Sequence, residues 1–346
     1  MSDLNNDAAT AILARSRPRP KANDWRAQLR QAFRRPADLL TYLGLDDRDD
    51  PLTGISPTPA FPMLVPRAFA ERMQPGRWDD PLLRQVLPDR AETVDVAGFI
   101  SDPVGDHSSR QVRGLLHKYS GRALLISTGA CAVHCRYCFR QQYPYSDEHL
   151  GREFEPALDY INQRRDITEV ILSGGDPLML ETRRLADLTG QLARIKHLKR
   201  LRIHTRLPVV LPARVDSQLG TWLASLPWQV VIVIHANHAA EFDQHVDTAI
   251  ARLRRNGALV FNQAVLLAGV NDDEDSLAEL MERSFSAGVI PYYLHLLDRV
   301  AGAARFDKNR KDALRLHERL RVRLPGYLVP RLVREKAGAP YKLPVL

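Results

Sequence analysis

All three cysteines of this 346-residue chain lie within eight consecutive positions, at Cys131, Cys135 and Cys138. Three thiolates this close can bind three irons of a cubane 4Fe-4S cluster and leave the fourth iron open to an exogenous ligand. A zinc site is the alternative, but structural zinc takes four protein ligands. The fourth candidate, His134, lies between the cysteines in a loop with little conformational freedom. The spacing favours a cluster with an open iron, so the fold must present this loop to a bound group.

The composition is typical of a cytoplasmic globular protein. Hydrophobic residues make up 45% of the sequence, which is enough for one large α/β domain with an appendage. No segment approaches the roughly 20 apolar residues of a membrane-spanning helix, and residues 1–22 lack the apolar region of a secretory signal. Clustered cysteines without a disulfide partner indicate a reducing compartment. We therefore expect a cytoplasmic protein with no membrane partner.

The net charge of +8 raises the question of a nucleic-acid partner. The arginines recur at the spacing of solvated helix faces, as at Arg252, Arg254, Arg255, Arg315, Arg319, Arg321 and Arg323. No nucleic-acid-binding module is recognisable. The charge therefore does not favour DNA or RNA, and an acidic protein partner met transiently would use it equally well.

The sequence pattern divides the chain into four segments. Residues 1–22 are polar and are predicted to be disordered. Apolar positions at helical spacing after Asp24 and again after Pro36, followed by frequent prolines, predict a helical N-terminal cap over residues 23–114. Residues 115–334 are predicted to form the main domain, and residues 335–346 a short C-terminal cofactor-binding segment. The stretch 103–118 is predicted to be a loop.

Six strand-like segments in the main domain alternate with helical ones. The predicted strands are 123–127, 169–172, 201–204, 230–234, 259–264 and 291–294, and helices such as 185–195, 239–255 and 274–287 separate them. Six βα units in series imply a parallel sheet with right-handed crossovers. The predicted fold class is therefore α/β, with the sheet curled into an open (β/α)6 partial TIM-type barrel.

Polar residues or glycines follow each predicted strand, where the active sites of parallel barrels gather. The cysteine loop follows the first strand, and Gly174, Gly175 and Asp176 follow the second, where paired glycines would let the backbone approach a ligand closely. Each feature alone is compatible with a purely structural role, because a Gly-Gly-Asp stretch is often a turn and a lone histidine is usually structural. Together they predict one site, joined at the later strand ends by His204, His235, Gln263, His295 and Asp298.

Several longer motifs resemble a known family. The stretches 131–140, 172–176, 206–212, 262–272 and 291–293 are together similar to the lysine 2,3-aminomutase family of radical S-adenosylmethionine enzymes. The likeness runs from about residue 115 to the C-terminus. It implies an isomerase in which S-adenosylmethionine occupies the open iron of a 4Fe-4S cluster ligated by Cys131, Cys135 and Cys138. It also implies pyridoxal 5'-phosphate, bound as a Schiff base to a lysine.

The resemblance implies a role for individual residues. Lys342 matches the Schiff-base lysine, although a lysine so close to a terminus would by itself be read as a solvated residue. Arg140 matches the arginine that binds the substrate carboxylate, and Asp298 an aspartate that binds the substrate ε-ammonium. Glu335 stands where lysine-specific members often carry a second aspartate. The implied phosphate contacts are Lys118, Tyr119, Arg122 and Gln263, and we expect further cofactor contacts from Gly174, Gly175, Asp176 and His235.

The resemblance also bears on the substrate and partners. Long members of the family carry C-terminal cysteines that bind zinc between subunits, and this chain has no cysteine left for such a site. The short form, with the stretches 80–87 and 115–119, resembles members that make (R)-β-lysine from (S)-α-lysine. A separate lysyl ligase attaches that product to elongation factor P. The alternatives are a free lysine or glutamate 2,3-aminomutase of amino-acid metabolism and a radical enzyme that modifies a macromolecule. A homo-oligomer is compatible with the sequence.

Overall fold

The computed structural model describes residues 24–46, 54–56, 59, 61–151 and 153–346, so the tail predicted at 1–22 lies outside the described residues. The strands within them are β1 (Arg110–Val112), β2 (Leu115–Tyr119), β3 (Arg122–Thr128), β4 (Glu169–Gly174), β5 (Arg200–Thr205), β6 (Gln229–Ile234), β7 (Leu259–Val265), β8 (Ile290–His295), β9 (Arg331–Arg334) and β10 (Leu343–Pro344). The α-helices are α1 (Trp25–Arg30), α2 (Pro36–Leu43), α3 (Arg67–Ala70), α4 (Pro81–Arg84), α5 (Tyr145–Glu148), α6 (Glu155–Gln163), α7 (Thr182–Leu192), α8 (Leu207–Val210), α9 (Ser217–Ala224), α10 (Gln244–Arg255), α11 (Glu274–Ser286) and α12 (Arg310–Arg323).

A single sheet holds the ten described strands in chain order from β1 to β10. The strands from β3 to β9 pair in parallel, whereas β1, β2 and β10 pair antiparallel with their neighbours. The six predicted strands correspond to β3 through β8, and helices cross between them, as parallel pairing requires. The predicted α/β fold with an open (β/α)6 partial barrel is therefore confirmed.

The prediction of a loop over residues 103–118 is wrong in its second half, where β1 and β2 extend the sheet. Leu115 and Leu116 of β2 pair with Leu125 and Leu124 of β3. The side chains of Leu115 and Leu116 are almost completely buried. The sequence did not reveal β2 because buried and half-buried residues do not alternate along it, so it lacks the period-two pattern of a half-buried strand.

The crossover helices α9, α10 and α11 begin at aspartate side-chain caps, and the crossover helices bury one face on the sheet. Asp243 caps α10 by accepting a hydrogen bond from the amide of Val246, and Asp273 caps α11 in the same way. Along α10, Val246, Ile250 and Leu253 recur at helical spacing and are fully buried, which fixes the helix against the barrel. The predicted solvated face is present on α12, where the arginines after Arg310 are exposed.

The N-terminal cap and the barrel share one hydrophobic core. The predicted helices after Asp24 and Pro36 are present as α1 and α2, and Leu39 and Leu43 of α2 belong to the same buried cluster as the barrel residues. The cap is therefore packed on the barrel and does not form a separate core. Among the described residues, no helix is both long enough and apolar enough to cross a membrane.

The C-terminal segment is fixed to the edge of the barrel. Leu343 and Pro344 of β10 pair antiparallel with Arg334 and Val333 of β9, and the amide of Val345 donates to the carbonyl of Leu332 at 3.0 Å. The side chain of Val345 is buried. These contacts begin directly after Lys342, so the sheet holds this lysine in place although it lies close to the end of the chain.

Candidate active site

A cavity of about 690 Å³ opens at the carboxyl ends of the barrel strands. Its volume is in the range of small-molecule sites, and glycines, cations, carboxylates and histidines line it together with the cysteine loop. The structure brings together at this cavity every residue predicted for the site: Lys118, Tyr119, Arg122, Cys131, Cys135, Cys138, Arg140, Gly174, Gly175, Asp176, His204, His235, Gln263, His295, Asp298, Glu335 and Lys342.

The N-terminal cap holds the cysteine loop that follows β3. The amide of His134 donates to the carbonyl of Leu64 at 3.0 Å, and the amide of Arg136 donates to the carbonyl of Gln85 at 2.9 Å. The fully buried guanidinium of Arg136 also forms an ion pair with Glu92, its Nε lying 2.9 Å from Oε1. The cap therefore determines the path of the loop, a role that the sequence did not assign to it.

Two of the three thiols, those of Cys131 and Cys138, lie in a low-dielectric environment that suits ligands of a cluster. Burial raises the pKa of the Cys131 thiol well above its ordinary value, and burial followed by the nearby Cys135 raises the pKa of Cys138 to about 11. Cluster assembly therefore has to displace the protons that Cys131 and Cys138 hold at neutral pH. Arg206 places its Nη1 atom 2.7 Å from Sγ of Cys135, so a positive charge faces the future thiolate.

The zinc alternative needs four ligands that converge on one ion. His134, its fourth candidate, donates from Nδ1 to the carbonyl of Pro62 at 2.8 Å, and its ring stacks on Phe61 with the centroids 4.9 Å apart. Within the described ranges, no three His, Cys, Asp or Glu side chains are grouped so that they could hold a single ion. A cubane takes one thiolate at each of three irons, so its ligands do not have to converge in this way.

The two glycines after β4 pack against the backbone of the cysteine loop. A Cβ atom at Gly175 would lie 2.4 Å from the carbonyl oxygen of Ala130, and one at Gly174 would lie 2.4 Å from that of Thr128. Gly174 also has a φ of 123°, which side chains rarely adopt. The immediate neighbour of both glycines is therefore the cysteine loop, and their contact with a ligand stays a prediction.

We expect Gly175→Ala to displace the cysteine loop. The new methyl group would overlap carbonyl oxygens on the loop backbone, which cannot rotate away as a side chain can, so we expect a loss of stability of about 1–3 kcal/mol and poorer cluster assembly. The measurements are the urea midpoint and the iron bound per chain. Gly190→Ala in α7 is the matched control, because nothing lies within 4 Å of its Cβ position. It should stabilise the protein by up to about 1 kcal/mol, and an equal effect of both variants would contradict the steric explanation.

Hydrogen bonds to Asp176 connect the end of β4 with the end of β5. Its Oδ1 atom accepts from Oγ1 of Thr205 at 2.7 Å, and its Oδ2 atom accepts from the amide of Arg206 at the same distance. Burial raises the pKa of this carboxyl to about 6, although these hydrogen bonds act in the opposite direction. Both oxygens are thus used within the protein, and the predicted cofactor contact of Asp176 stays a prediction.

Arg140 lies beside a buried carboxylate that sequence reasoning missed. Its Nε atom donates to Oδ2 of Asp106 at 2.6 Å, and its Nη1 atom donates to Oγ of Ser173 at 3.2 Å. Burial alone would raise the pKa of Asp106, but Arg140 and Lys118 outweigh it and hold the pKa below its ordinary value. No signal could have identified Asp106, because it lies in the stretch that was predicted to be a loop.

A second set of charges surrounds Lys342. Its Nζ atom lies 2.5 Å from Oε2 of Glu335, and the other oxygen of Glu335 lies 3.2 Å from Nζ of Lys118. Burial opposes ionisation of Glu335, but the two lysines outweigh it and lower its pKa to about 2. Asp298 has no ion pair with any described residue, and burial together with the charge of Glu335 raises its pKa to about 7. The carboxylate of Glu335 is thus paired with lysines of the cavity, whereas the carboxylate of Asp298 is available to bind a cation.

Burial favours the neutral form of three histidines in the cavity, and within the described ranges two of them have an unpaired ring nitrogen. Burial lowers the pKa of His235 to about 3, and it lowers the pKa values of His204 and His295 well below their ordinary range. His235 lies 3.3 Å from Nε2 of Gln263, whereas Nε2 of His204 and of His295 are buried without a hydrogen-bond partner among the described residues. Unpaired buried polar atoms are costly, so this lining fits polar bound groups.

The comparisons with known proteins agree with this geometry. The family described as a 4Fe-4S single cluster domain matches residues 120–205, which contain the cysteine loop. The L-lysine 2,3-aminomutase of Escherichia coli (strain K12) is 46% identical over 94% of this chain and 95% of that protein. The chain belongs to the lysine 2,3-aminomutase family. The L-lysine 2,3-aminomutases of Haemophilus influenzae and Clostridium subterminale are 43% and 31% identical, over 92% and 94% of this chain and 94% and 78% of their own lengths.

Membership of the lysine 2,3-aminomutase family makes this chain a radical S-adenosylmethionine enzyme and an isomerase. It therefore binds a 4Fe-4S cluster and S-adenosylmethionine, and the loop with its three cysteines lies inside the matched domain. Among solved structures, a radical SAM methyltransferase from Sphaerobacter thermophilus has a TM-score of 0.44 and 18% identity, covering 64% of this chain and 68% of that chain. A likeness at that level carries no argument about the site.

Proposed function

We propose that this enzyme converts (S)-α-lysine into (R)-β-lysine with pyridoxal 5'-phosphate bound to Lys342. The observation that carries the proposal is the distribution of charge in one cavity, with Arg140 as a cation and with Asp298 and Glu335 as carboxylates near Lys342. Free lysine has a carboxylate at one end and an ammonium at the other. An acidic substrate side chain would be repelled by Asp298, so the cavity favours lysine over glutamate.

The proposed roles follow from the contacts of each side chain. Cys131, Cys135 and Cys138 would hold three irons, and S-adenosylmethionine at the fourth would supply a 5'-deoxyadenosyl radical. Pyridoxal phosphate, once bound, would supply an aldehyde carbon that can link to an amine nitrogen, and a conjugated ring that spreads an unpaired electron. The Nη2 atom of Arg140 has no hydrogen-bond partner among the described residues, so it is available for the substrate carboxylate.

The opposite end of the substrate would meet the unpaired carboxylate. Asp298 would accept the ε-ammonium, with Glu335 beside it. Tyr119 and Gln263 line the same cavity as proposed cofactor contacts. A cation at one end and a carboxylate at the other would hold the lysine in a fixed orientation, which is how positioning lowers the barrier of a step on a bound substrate.

We also propose that the (R)-β-lysine is used by a separate ligase to modify elongation factor P. The support is the resemblance of the stretches 80–87 and 115–119 to the members of the family with that role. Clustered free cysteines support a reducing compartment, and we propose the cytoplasm as the location.

The test is a product assay on the reconstituted enzyme. The protein is loaded anaerobically with iron, sulfide and pyridoxal phosphate, then incubated with lysine, S-adenosylmethionine and a reductant, and the products are separated by chiral chromatography. Formation of (R)-β-lysine is the expected result. If protein carrying both the cluster and the cofactor forms no β-lysine, lysine is not the substrate, and the same assay with glutamate then tests the metabolic alternative.

We expect Asp298→Asn to raise the KM for lysine by roughly 10- to 100-fold, because a charged hydrogen bond to the ammonium is lost. Burial raises the pKa of Asp298 to about 7, so its ionised fraction increases from pH 6 to 8. The KM of the parent enzyme for lysine should therefore fall from pH 6 to 8. The KM of the variant should not show this dependence on pH. Asp307→Asn removes a carboxylate that is paired with Arg299 and is the matched control. Unchanged use of lysine by Asp298→Asn, with intact cluster absorbance, would contradict the assignment.

A further inference from the structure

Asp106 is a buried carboxylate of the cap segment, and a hydrogen-bonded turn holds its backbone. The amides of Asp106 and His107 donate to the two carboxylate oxygens of Asp102, at 2.9 and 3.0 Å. In the same turn, Oγ of Ser109 donates to the carbonyl of Gly105 at 2.7 Å. Asp106 is only 1% exposed. Its carboxylate therefore has a defined position, which the backbone on both sides supports.

Asp106 and Ser173 hold the guanidinium of Arg140 at two of its three nitrogen atoms. Nε donates to Oδ2 of Asp106 at 2.6 Å, and Nη1 donates to Oγ of Ser173 at 3.2 Å. Because the guanidinium is planar, two fixed donors determine its orientation. The bond to Asp106 is the shorter of the two and has a charged acceptor, so it contributes more to that orientation. Nη2 is the nitrogen that remains for a ligand.

Asp106 also balances a second positive charge. Its Oδ1 atom has no hydrogen-bond partner among the described residues, and it lies 2.6 Å from Nζ of Lys118 as an ion pair. The side chains of Arg140 and Lys118 are 8% and 16% exposed. Two cations so well shielded from water would repel each other strongly without a carboxylate between them. Asp106 thus allows Arg140 to lie close to Lys118, which keeps the phosphate contact that the family resemblance implies.

We propose that Asp106 is a positioning residue that orients Arg140 for the α-carboxylate of the substrate. This inference rests on the proposed function, because Arg140 is the proposed ligand of that carboxylate. An arginine that is already held in its binding orientation loses less conformational entropy when the ligand arrives. The contribution of Asp106 should therefore appear in the affinity for lysine, and only for ligands that carry a carboxylate.

The test compares lysine with lysinamide, in which a neutral amide replaces the carboxylate. Each is titrated into protein that carries the cluster and pyridoxal phosphate, without S-adenosylmethionine or reductant, so that no turnover occurs. Binding is followed by the visible absorbance of the cofactor. We expect Asp106→Ala to raise the Kd for lysine about tenfold, because the charged hydrogen bond that orients Arg140 is lost. The Kd for lysinamide should change by less than about twofold.

A double-mutant cycle tests whether Asp106 acts through Arg140. In the Arg140→Met background, the added change Asp106→Ala should cause no further loss of affinity for lysine. Asp95→Ala removes an exposed carboxylate of the cap segment and should bind both ligands as the parent does. Asp106→Asn keeps the inference testable if Asp106→Ala does not fold. Its amide can offer an oxygen to only one of the two cations, so it should show a smaller loss that is again confined to lysine.

An equal rise of both dissociation constants in Asp106→Ala would overturn the inference, because it would show a general disturbance of the cavity. Unchanged binding of lysine would overturn it too, since Arg140 would then be oriented without Asp106. A further tenfold loss in the double variant would refute the link to Arg140. A parent protein that binds lysine no better than lysinamide would instead refute the proposed role of Arg140. Failure of the proposed function is thus seen in the parent, and failure of the inference in the variants.

Discussion

Replacing Cys131 by alanine is expected to abolish the visible absorbance of the cluster and turnover together. Only three protein ligands are available for the four irons, and removing one would leave a second iron without a thiolate. The reaction of a radical S-adenosylmethionine enzyme begins at this cluster, so we expect activity to fall below detection. The measurements are iron and sulfide per chain after anaerobic reconstitution, and the formation of 5'-deoxyadenosine from S-adenosylmethionine.

His134→Ala is the control that separates a cluster from a zinc site. His134 contacts Pro62 and Phe61 of the cap, so its loss should cost about 1 kcal/mol of stability and leave the iron content unchanged. A Cys3His zinc site would lose its metal in both variants. Full cluster occupancy in Cys131→Ala would show that this thiol is not a ligand, and the assignment of the loop would then be wrong.

Lys342→Ala is expected to eliminate the lysine-bound cofactor and β-lysine formation while the cluster remains. Nζ of Lys342 lies beside Glu335 in the cavity, and β10 fixes the backbone directly after it. The other lysine of the lining, Lys118, is held by Asp106 and Glu335. The thiols belong to a separate loop after β3, which the substitution does not touch. The experiment is a titration with pyridoxal 5'-phosphate, followed at visible wavelengths, together with an iron assay on the same samples.

Lys336→Ala provides the matched comparison, because Lys336 is an exposed lysine of the same C-terminal segment. It should bind the cofactor and turn over lysine as the parent protein does. The assignment of Lys342 is refuted if Lys342→Ala still retains the cofactor covalently, seen as the near-ultraviolet absorbance of the reduced pyridoxyl group, after borohydride reduction and dialysis. A loss of iron together with the cofactor would instead show that the C-terminal segment supports the whole fold.

The main strands could be predicted from the sequence because each is a short apolar run in a repeating order. β4 is buried at every position, as strands covered on both faces are, and β3 to β8 agree with the predicted segments to within two residues at either end. Of the strands that were missed, β9 continues the βα repeat after α12, whereas β1, β2 and β10 lie outside it. All four are at most five residues long. Their pairing depends on the neighbouring strand, which a local pattern does not reveal.

The cysteine loop and the set of residues at the strand ends were accessible from the sequence for a topological reason. In a parallel barrel every strand ends at the same face, so a residue that follows a strand is placed near the others without knowledge of any contact. The role of the cap was not accessible. It depends on hydrogen bonds such as that from Arg136 to Gln85, which join segments far apart in the chain.

By itself, the sequence determined the metal-binding loop, the order of the βα units and the kinds of side chain that surround the cavity, because these follow from local spacing and from the periodicity of apolar residues. Only the tertiary structure decided which charges meet. Lys118 contacts Glu335 across 217 positions and contacts Asp106 in a segment with no local signal. Electrostatic interactions depend on distance and burial and not on separation along the chain, so the residue types could be read before the fold was known, but their pairing could not.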